Sequence, residues 1–443
     1  MGNATTASVT GVQVAPAKSA IRDLPIAKVW AFAVGQFGWA LLSGIISNWL
    51  VYFYQPDQET ISQGQTVFVV VLGIVTVVGG ITAFARFFDA FVDPAVASLS
   101  DRCDAKSGRR MPFLKFAALP LAVVTVLVFW SPINGTSWVN AAFLFVTVIG
   151  YYIALTFYCT PYNALIAELG HDSKQQLTIS TAISFTWVAG TAIAYVAPVI
   201  WGAFVPMMGR ITAIRVTFTI MAAVAFVCML VPPLAIREKD YVNSHPTSES
   251  TIESLKQTFG DGEFRKFVCS DVVYWVAITT FQTGLPFFVT SLLKLPETTT
   301  TIYFVLMTGV SVLFYLPVNI LANKVGKKRL LLVAFVIFTC AFAFAGALGS
   351  AVLGFIPAMA QGLVLSVVGA IPMAAFGILP QAIVANIADA SSKTTGQDRQ
   401  GMFYAARTFA MKMGQSVAML LFTGVSTIGM ASGAGYRIAA VCA

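Results

Sequence analysis

Apolar runs of about bilayer length recur eleven times along this chain of 443 residues. A helix that crosses lipid needs about 20 mainly apolar residues, and lipid excludes structures that leave backbone groups unpaired. With 57% hydrophobic and 10% charged residues, the sequence predicts an all-α polytopic membrane protein and not a soluble enzyme with a large core. The runs begin near Ile26, Thr66, Pro112, Trp138, Gln176, Ile211, Phe267, Thr298, Leu330, Leu353 and Gly401.

The last complete run is followed by a turn and then by only a short apolar segment, residues 438–443. We therefore expect a twelfth helix that is cut short in this chain. The predicted division of the chain is a disordered cytoplasmic tail (1–25), an N-terminal six-helix bundle (26–236), a central cytoplasmic loop (237–266) and a C-terminal bundle of five complete helices and the start of a sixth (267–443).

Most of the 27 Lys and Arg residues lie in the N-terminal tail and in alternate loops. The loops of the other side hold only Arg210, Arg215, Lys294 and Arg437. Because loops rich in Lys and Arg stay in the cytoplasm, the N-terminus is predicted to be cytoplasmic. The formal net charge of +8 then reflects membrane topology and does not indicate a nucleic-acid partner.

Three charges interrupt the second apolar run, at Arg86, Asp89 and Asp93. One charged side chain at the bilayer centre costs about 2.5–3.5 kcal/mol on insertion scales, so charges retained there usually serve a function. Asp89 and Asp93 share one face of a helix, and Pro94 frees the carbonyl oxygen of Ala90 beside them. Two carboxylates this close favour a bound cation or a shared proton, so the pair is predicted to bind Na⁺ or H⁺. The alternative is a structural ion pair between Arg86 and Asp89.

Two further cations, Arg407 and Lys412, lie inside the last complete run. Five residues separate them, which places them on different faces of a helix. Lys412, near the bilayer midplane, is expected to exchange partners with Asp89 and Asp93 when the cation leaves. Arg407 is the candidate for binding a carboxylate, sulfate or phosphate of the substrate, with a snorkelling arginine at the membrane surface as the alternative. Asp271 is interpreted as an interfacial residue.

Amides and aromatic rings inside the apolar runs are the candidate contacts for a polar solute. Such sites use amides for hydroxyl groups and a flat ring for stacking. Single amides also hold helices together, and Tyr and Trp also lie at membrane interfaces, so a structural role for each stays open. The candidates are Gln36, Trp39, Tyr162 and Asn163.

Two loops on the predicted cytoplasmic side, residues 99–110 and 321–329, repeat one order of residues: an acid or amide, a base, a glycine and further bases. Duplicated halves of six helices are typical of transporters that bind their substrate near the bilayer midplane. We therefore predict that the two loops form a cytoplasmic gate. The gate residues are Asp101, Arg102, Gly108, Arg109, Lys324 and Gly326.

Residues 321–330 resemble the cytoplasmic loop motif of the major facilitator superfamily. Residues 85–94 resemble the motif in the second helix of its melibiose-permease family, which are cation symporters of glycosides, pentosides and hexuronides. Further matches at residues 34–38, 161–165 and 395–412 follow in the order found in that family. The resemblance covers nearly the whole chain, and it implies the major facilitator fold with two six-helix halves.

The resemblance also implies roles for individual residues. Asp89 and Asp93 match the family's aspartates that bind Na⁺, H⁺ or Li⁺, Thr156 matches a threonine that helps them, and Lys412 matches a lysine implicated in coupling. Val92 stands where the family has an asparagine near the cation site, which favours proton coupling. The acids, the arginine and the tryptophans with which melibiose carriers hold their sugar are replaced here by Ala40, Cys159, Asn163, Ala182 or Ile183, and Gly377.

The predicted function is symport, coupled to Na⁺ or H⁺, of a small organic solute, first of all a sugar, a glycoside or a uronate. Residues 108–112 and 161–165 are at least as similar to sodium-dependent lysolipid symporters of the same superfamily. A symporter of a lysolipid-type amphiphile is therefore the alternative, together with a proton-coupled exporter of the same fold.

An enzyme is not predicted, because the chain has only His171 and His245 and no paired metal ligands at catalytic spacing. No cofactor is expected besides the coupling ion. The expected partners are the solute, a monovalent cation and the lipid bilayer, for a monomeric protein of the plasma membrane.

Overall fold

The computed structural model describes residues 23–54, 70–71, 75–103, 105, 108–133, 137–170, 173–242, 258–395, 400–429 and 432–442. Most of them are helical, which confirms the predicted all-α class. The predicted tail up to residue 22 and residues 243–257 of the predicted central loop lie outside these ranges. The helices are α1 (Ile26–Tyr54), α2 (Val77–Asp101), α3 (Met111–Val128), α4 (Trp138–Leu169), α5 (Ser173–Met208), α6 (Arg210–Ala235), α7 (Gly262–Phe287, continued by a π-helix at Phe288–Leu292), α8 (Thr298–Val325), α9 (Lys327–Ala347), α10 (Ala358–Thr395), α11 (Gln400–Val425) and α12 (Ala434–Cys442).

The second helix begins later than the sequence predicts. The prediction near Thr66 is wrong, because α2 begins at Val77. Two short antiparallel strands, β1 (Val70–Val71) and β2 (Val75–Thr76), precede it. Thr76 then caps the helix, since its hydroxyl accepts a hydrogen bond from a backbone N–H of the first turn at 3.0 Å. β-Branched side chains favour extended backbone and Thr favours an N-cap, so the apolar run is divided between a hairpin and a helix.

A capping residue also sets the start of α7, which begins at Gly262 and not near Phe267. The Asp261 carboxylate accepts hydrogen bonds from the backbone N–H groups of Glu263 and Phe264, both at 3.0 Å. These bonds satisfy two donors that a helix otherwise leaves unpaired. The helix therefore extends into residues that were assigned to the central loop.

In the described part of the chain, nine helices are long and apolar enough to cross a membrane: α1 and α3 to α10. Of the longer helices, α2 and α11 are outside this set, and they carry the charged residues Arg86, Asp89, Asp93, Arg407 and Lys412. Large apolar side chains are exposed on outward faces, such as Leu313 (74%) and Leu316 (69%) of α8. Side chains of this kind fit lipid tails, and the chain is an integral membrane protein.

The helices pack in two groups. In the first group, α1 lies against α5 and α6, and α4 lies against α2 and α3. In the second group, α10 lies against α8 and α9, and α11 lies against α7. Packing within a group is close, because a Cβ at Gly38 of α1 would lie only 2.6 Å from the Ala225 carbonyl oxygen of α6. The two groups meet where α2 contacts α11, α5 contacts α8 and α1 contacts α7.

Candidate functional site

A cavity lies between the two groups of helices. Its volume is about 520 Å³, within the range of about 300–1,000 Å³ that is usual for small-molecule sites. Side chains of α1, α2, α4 and α5 line one wall, and side chains of α7, α8, α10 and α11 line the other. Among the described residues, the charged side chains that line it are those of Arg86, Asp89, Asp93 and Lys412.

Lys412 of α11 bridges the two carboxylates of α2. Its Nζ lies 2.6 Å from Asp89 Oδ2 and 2.5 Å from Asp93 Oδ2. The other two carboxylate oxygens accept hydrogen bonds from α4: the Thr156 hydroxyl donates to Asp89 Oδ1, and the Thr160 hydroxyl donates to Asp93 Oδ1 at 3.2 Å. Residues four apart on α2 thus face residues four apart on α4. The structure brings together Asp89, Asp93, Thr156 and Lys412.

This cluster offers oxygen ligands to a monovalent cation. It contains both carboxylates and both hydroxyls, and Pro94 within α2 leaves the Ala90 carbonyl oxygen without its usual helical donor. Asp93 faces the cavity with a side chain that is 25% exposed, whereas that of Asp89 is 4% exposed. Oxygen ligands suit hard cations, and a proton on one carboxylate would also relieve the repulsion between the pair.

Arg86 lies one turn before Asp89 on α2 but does not pair with it. Its guanidinium donates to the Gln415 side-chain oxygen at 2.5 Å and to the Ser47 hydroxyl at 3.2 Å, and lies 5.6 Å from the centre of the Tyr152 ring. In the described residues, Arg86 forms no ion pair and its Nε has no hydrogen-bond partner. The structural Arg86–Asp89 pair, the alternative left open by the sequence, is therefore not formed.

The four candidate solute contacts divide into two pairs. Trp39 and Asn163 line the cavity, and the Trp39 ring lies 4.9 Å from that of Trp187. Gln36 and Tyr162 are buried behind the wall. The Gln36 amide oxygen accepts a hydrogen bond from the Trp39 indole at 3.2 Å, and the Tyr162 hydroxyl donates to a backbone carbonyl of α1 at 2.7 Å. Gln36 thus positions Trp39, and Tyr162 fastens α4 to α1.

Arg407 does not reach the cavity, contrary to the substrate-binding role predicted for it. Its Nε and Nη2 donate to the two carboxylate oxygens of Asp271, both at 3.0 Å. Both side chains are buried, so Asp271 is not an interfacial residue and Arg407 does not snorkel. The pair lies where α7 packs against α11, and each charge compensates the other where neither is hydrated.

Sequence reasoning missed several polar side chains of the cavity, among them Thr160, Gln415 and Ser47. A signal existed for Thr160, which follows Thr156 at the same spacing as Asp93 follows Asp89. Gln415 follows Lys412 by one helical turn. Ser47 carries no signal of its own, because small hydroxyl residues are common inside membrane helices.

The first predicted gate loop is held in place by acidic residues of the first group. Gly108 has a positive φ of 123°, and the Glu238 carboxylate accepts hydrogen bonds from the backbone N–H groups of Arg110 and Met111 at 2.8 and 3.0 Å. Arg109 pairs with Glu168 of α4 at 3.1 Å. The loop is therefore tied to the ends of α4 and α6.

The second predicted gate loop is bonded to α10. Gly326 joins α8 to α9 with a φ of 96°, and the neighbouring Lys327 ammonium donates to the Asn386 side-chain oxygen at 3.3 Å. Lys324 is exposed in the last turn of α8.

Two residues of the first gate loop lie at the end of α2. Arg102 ends this helix through a backbone hydrogen bond to a carbonyl of its last turn. The side chain of Asp101, the remaining gate residue, lies outside the described part of the chain.

Glu297 joins the two groups of helices at the end of the molecule opposite these basic loops. It precedes α8, and its Oε1 accepts hydrogen bonds from the Arg210 guanidinium and, at 2.8 Å, from the Tyr52 hydroxyl. Its Oε2 accepts one from the Trp201 indole at 2.9 Å. All three donors belong to the first group of helices and the carboxylate belongs to the second. This end is therefore joined by a charge-assisted network.

The sequence and the fold were compared with known proteins. A profile of the family described as MFS/sugar transport protein matches residues 31–441. The inner membrane symporter YicJ of Escherichia coli (strain K12) is 25% identical over 226 residues, which are 50% of this chain and 47% of that protein. The isoprimeverose transporter of Lactiplantibacillus pentosus is 25% identical over 171 residues, 38% of this chain and 33% of that protein. The alignments thus span half or less of each relative.

Among solved structures, a mutant of the nucleoside transporter NupG is similar to this chain. The TM-score is 0.65 with 13% sequence identity, and the match covers 94% of this chain and 98% of that one. An identity this low speaks for the fold alone. The predicted major facilitator fold is confirmed by this likeness and by the family profile.

Proposed function

Because this chain belongs to the MFS/sugar transport protein family, we propose that it is a secondary symporter that couples uptake of a small organic solute to Na⁺ or H⁺. The proposed solute is a sugar, a glycoside or a uronate. Relatives described as a symporter and as an isoprimeverose transporter support the proposal. The observation that carries it is the bridge from Lys412 to Asp89 and Asp93, since it joins the two groups of helices through charges that a cation can neutralise.

Coupling is an exchange of positive charges at the two carboxylates. Without a bound coupling cation, Lys412 is bonded to both Asp89 and Asp93, compensates one of their two negative charges and holds α11 to α2. Na⁺ or H⁺ arriving at the carboxylates competes with the ammonium group for the same oxygens. A buried carboxylate pair left without a partner is unstable, so the empty site favours the bridge and the loaded site releases it. Cation occupancy thereby alters the contact between the two groups of helices.

The two ends of the cavity take opposite roles in alternating access. The protein is proposed to lie in the plasma membrane. By the positive-inside rule, the basic loops and the N-terminus then lie on the cytoplasmic side. The Glu297 network then lies on the external side and closes it. Opening outward requires the bonds from Tyr52, Trp201 and Arg210 to break, while the loops at Gly108 and Gly326 close the cytoplasmic side.

The test is solute accumulation in liposomes that contain the full chain. Sugars, glycosides and uronates are supplied with an inward Na⁺ gradient, an inward H⁺ gradient or neither. One positive charge moved across 100 mV contributes about 2.3 kcal/mol, enough for about fiftyfold accumulation. We expect accumulation with one gradient, and its loss when Asp89→Asn and Asp93→Asn are combined.

Asp261→Asn is the matched control, because Asn also caps helices and Asp261 lies outside the cavity lining. Accumulation that persists in the double variant with the same cation requirement contradicts the proposal. If the solute accumulates only when the proton gradient is directed outward, so that protons leave as the solute enters, the protein is the proton-coupled exporter instead.

A further inference from the structure

Arg86 is a buried cation of the cavity whose bonds all go to neutral groups. It is 9% exposed, and its guanidinium donates to the Gln415 amide oxygen and the Ser47 hydroxyl. Gln415 and Ser47 also line the cavity. Other buried cations of the described helices have a carboxylate: Lys412 has Asp89 and Asp93, and Arg407 has Asp271. A guanidinium held by neutral groups at a cavity wall is available to an anion.

The charge balance of the cavity leads to the same conclusion. The formal charges of Arg86 and Lys412 cancel those of Asp89 and Asp93, so the empty cavity is neutral. Symport adds a cation, which would leave a net positive charge in a cavity whose Arg86 and Asp89 side chains are buried. Uncompensated charge in such surroundings is unfavourable. A solute with one negative charge restores neutrality when solute and cation bind together.

The geometry of the guanidinium fits a carboxylate. Arginine has five N–H donors in a planar fork that matches two oxygens of one anion. In the described structure, Nε has no partner, and the two neutral acceptors are side chains that a stronger acceptor can displace. Arg86 also lies one helical turn from Asp89 on α2. An anion bound to Arg86 and a cation bound to the carboxylates would therefore be neighbours and attract each other.

Other side chains that line the cavity suit the neutral remainder of such a solute. Trp39 and Trp187 present rings, and Asn163 and Gln282 present amides. Rings pack against the apolar face of a sugar and amides bond its hydroxyl groups. The cavity therefore offers a group that recognises charge together with groups that suit a polyhydroxylated ring.

We propose that the transported solute is an acid, a sugar acid or acidic glycoside, whose carboxylate binds the Arg86 guanidinium in place of Gln415 and Ser47. The proposal rests on the symport proposed above and narrows its substrate class. It assigns to Arg86 the anion recognition that the sequence had assigned to Arg407.

The test compares solutes that differ only at the carboxylate. Methyl glucuronide and methyl glucoside, and the corresponding galactose pair, are each offered to the full chain in liposomes, with binding measured by tryptophan fluorescence and transport by counterflow. We expect the wild type to prefer the acidic member of a pair by about tenfold or more, as a charge-assisted bond predicts. In Arg86→Gln this preference disappears because affinity for the acid falls, while affinity for the neutral member changes less than about twofold. Arg86→Lys retains part of it.

Lys115→Gln is the control, since it removes an exposed positive charge of α3 outside the cavity lining. The proposal is overturned if the wild type does not prefer any acidic member, if Arg86→Gln weakens acidic and neutral members alike, or if anionic lysolipid in nanodiscs displaces the sugar acids as the preferred ligand. Cation-dependent counterflow of the neutral glycosides alone would leave symport standing and remove the acidic substrate. Acid binding that ignores Na⁺ and H⁺ would do the reverse.

Discussion

The Trp201 indole of α5 donates a hydrogen bond to Glu297 Oε2 across 2.9 Å and so joins the first group of helices to the turn before α8. The same carboxylate accepts from Tyr52 and Arg210. One side chain of the second group thus holds three donors of the first. A carrier must separate these partners once in every transport cycle, which makes this network a place where the balance between its two open states can be altered.

We expect Glu297→Gln to open the external end more often, because it removes the charge that attracts Arg210. The measurement is labelling of Thr301→Cys, a buried position nearby on α8, by an impermeant maleimide in a background without the six native cysteines. Labelling from outside should become at least about tenfold faster, corresponding to about 1.4 kcal/mol. Glu263→Gln, at the exposed start of α7 on the other end, is the control. Equal labelling of both variants would refute a gating role.

Lys412→Gln is expected to destabilise the protein in the absence of coupling cation. It leaves two neighbouring carboxylates without their ammonium, and breaking a buried pair costs about 3–5 kcal/mol. We expect the low end of that range, since the Asp93 side chain is 25% exposed. Thermal unfolding in detergent measures the loss, which added Na⁺ or acid should partly reverse. Lys327→Gln is the control, because the Lys327 ammonium bonds only neutral groups, at 3.3 and 3.4 Å, in the described structure. It should change the midpoint of thermal unfolding little. Equal midpoints for Lys412→Gln and Lys327→Gln would contradict the bridge.

The Arg407–Asp271 pair is expected to act on stability and not on solute binding. Arg407→Met or Asp271→Leu alone should lower the free energy of unfolding by about 3–5 kcal/mol, because each leaves one buried charge unpaired. Combining Arg407→Met with Asp271→Leu should recover most of the loss. Unfolding of the single and double variants gives the coupling energy. Two outcomes would contradict this role: losses of unfolding free energy that add up in the double variant, or a well-folded single variant that loses only solute affinity. Either would favour the substrate-binding role predicted for Arg407.

Gly38→Ala and Gly309→Ala make the same chemical change with opposite expected signs. A Cβ at Gly38 would lie 2.6 Å from a carbonyl oxygen of α6, and overpacking of this kind costs about 1–3 kcal/mol. A Cβ at Gly309 of α8 meets no atom within 4 Å, so the better helix propensity of Ala should raise stability by up to about 1 kcal/mol. Thermal unfolding of the two variants side by side checks both signs. A stabilised Gly38→Ala would mean that α1 and α6 do not pack as described.

The all-α class, the approximate positions of most helices and the charged cluster of α2 could be predicted because they depend on local patterns. Apolar length marks a membrane helix, and four-residue spacing places Asp89 and Asp93 on one face. The pairing of Arg407 with Asp271 depends on how α7 packs against α11, and one sequence contains no record of that contact. Gln36 and Tyr162 were placed in the substrate site because a helix that is apolar all round does not reveal which of its faces lines a cavity. The late start of α2 could not be predicted, because an apolar, β-branched run is long enough for a membrane helix whether its backbone is helical or extended.

The helices α2 and α11 contact each other from Ala83, whose carbonyl oxygen accepts a bond from Ser416 at 2.7 Å, past the Lys412 bridge to the Phe91 and Phe409 rings 5.5 Å apart. In the proposed alternating access, where one group of helices rocks against the other, this line of contact would lie at the hinge, where the relative displacement is smallest. The proposed cation site at Asp89 and Asp93 therefore lies where the two groups of helices would move least against each other. In the proposed mechanism, a change in the bonding partners of Lys412 acts directly on this line of contact, so a small local change biases which side of the membrane the cavity faces.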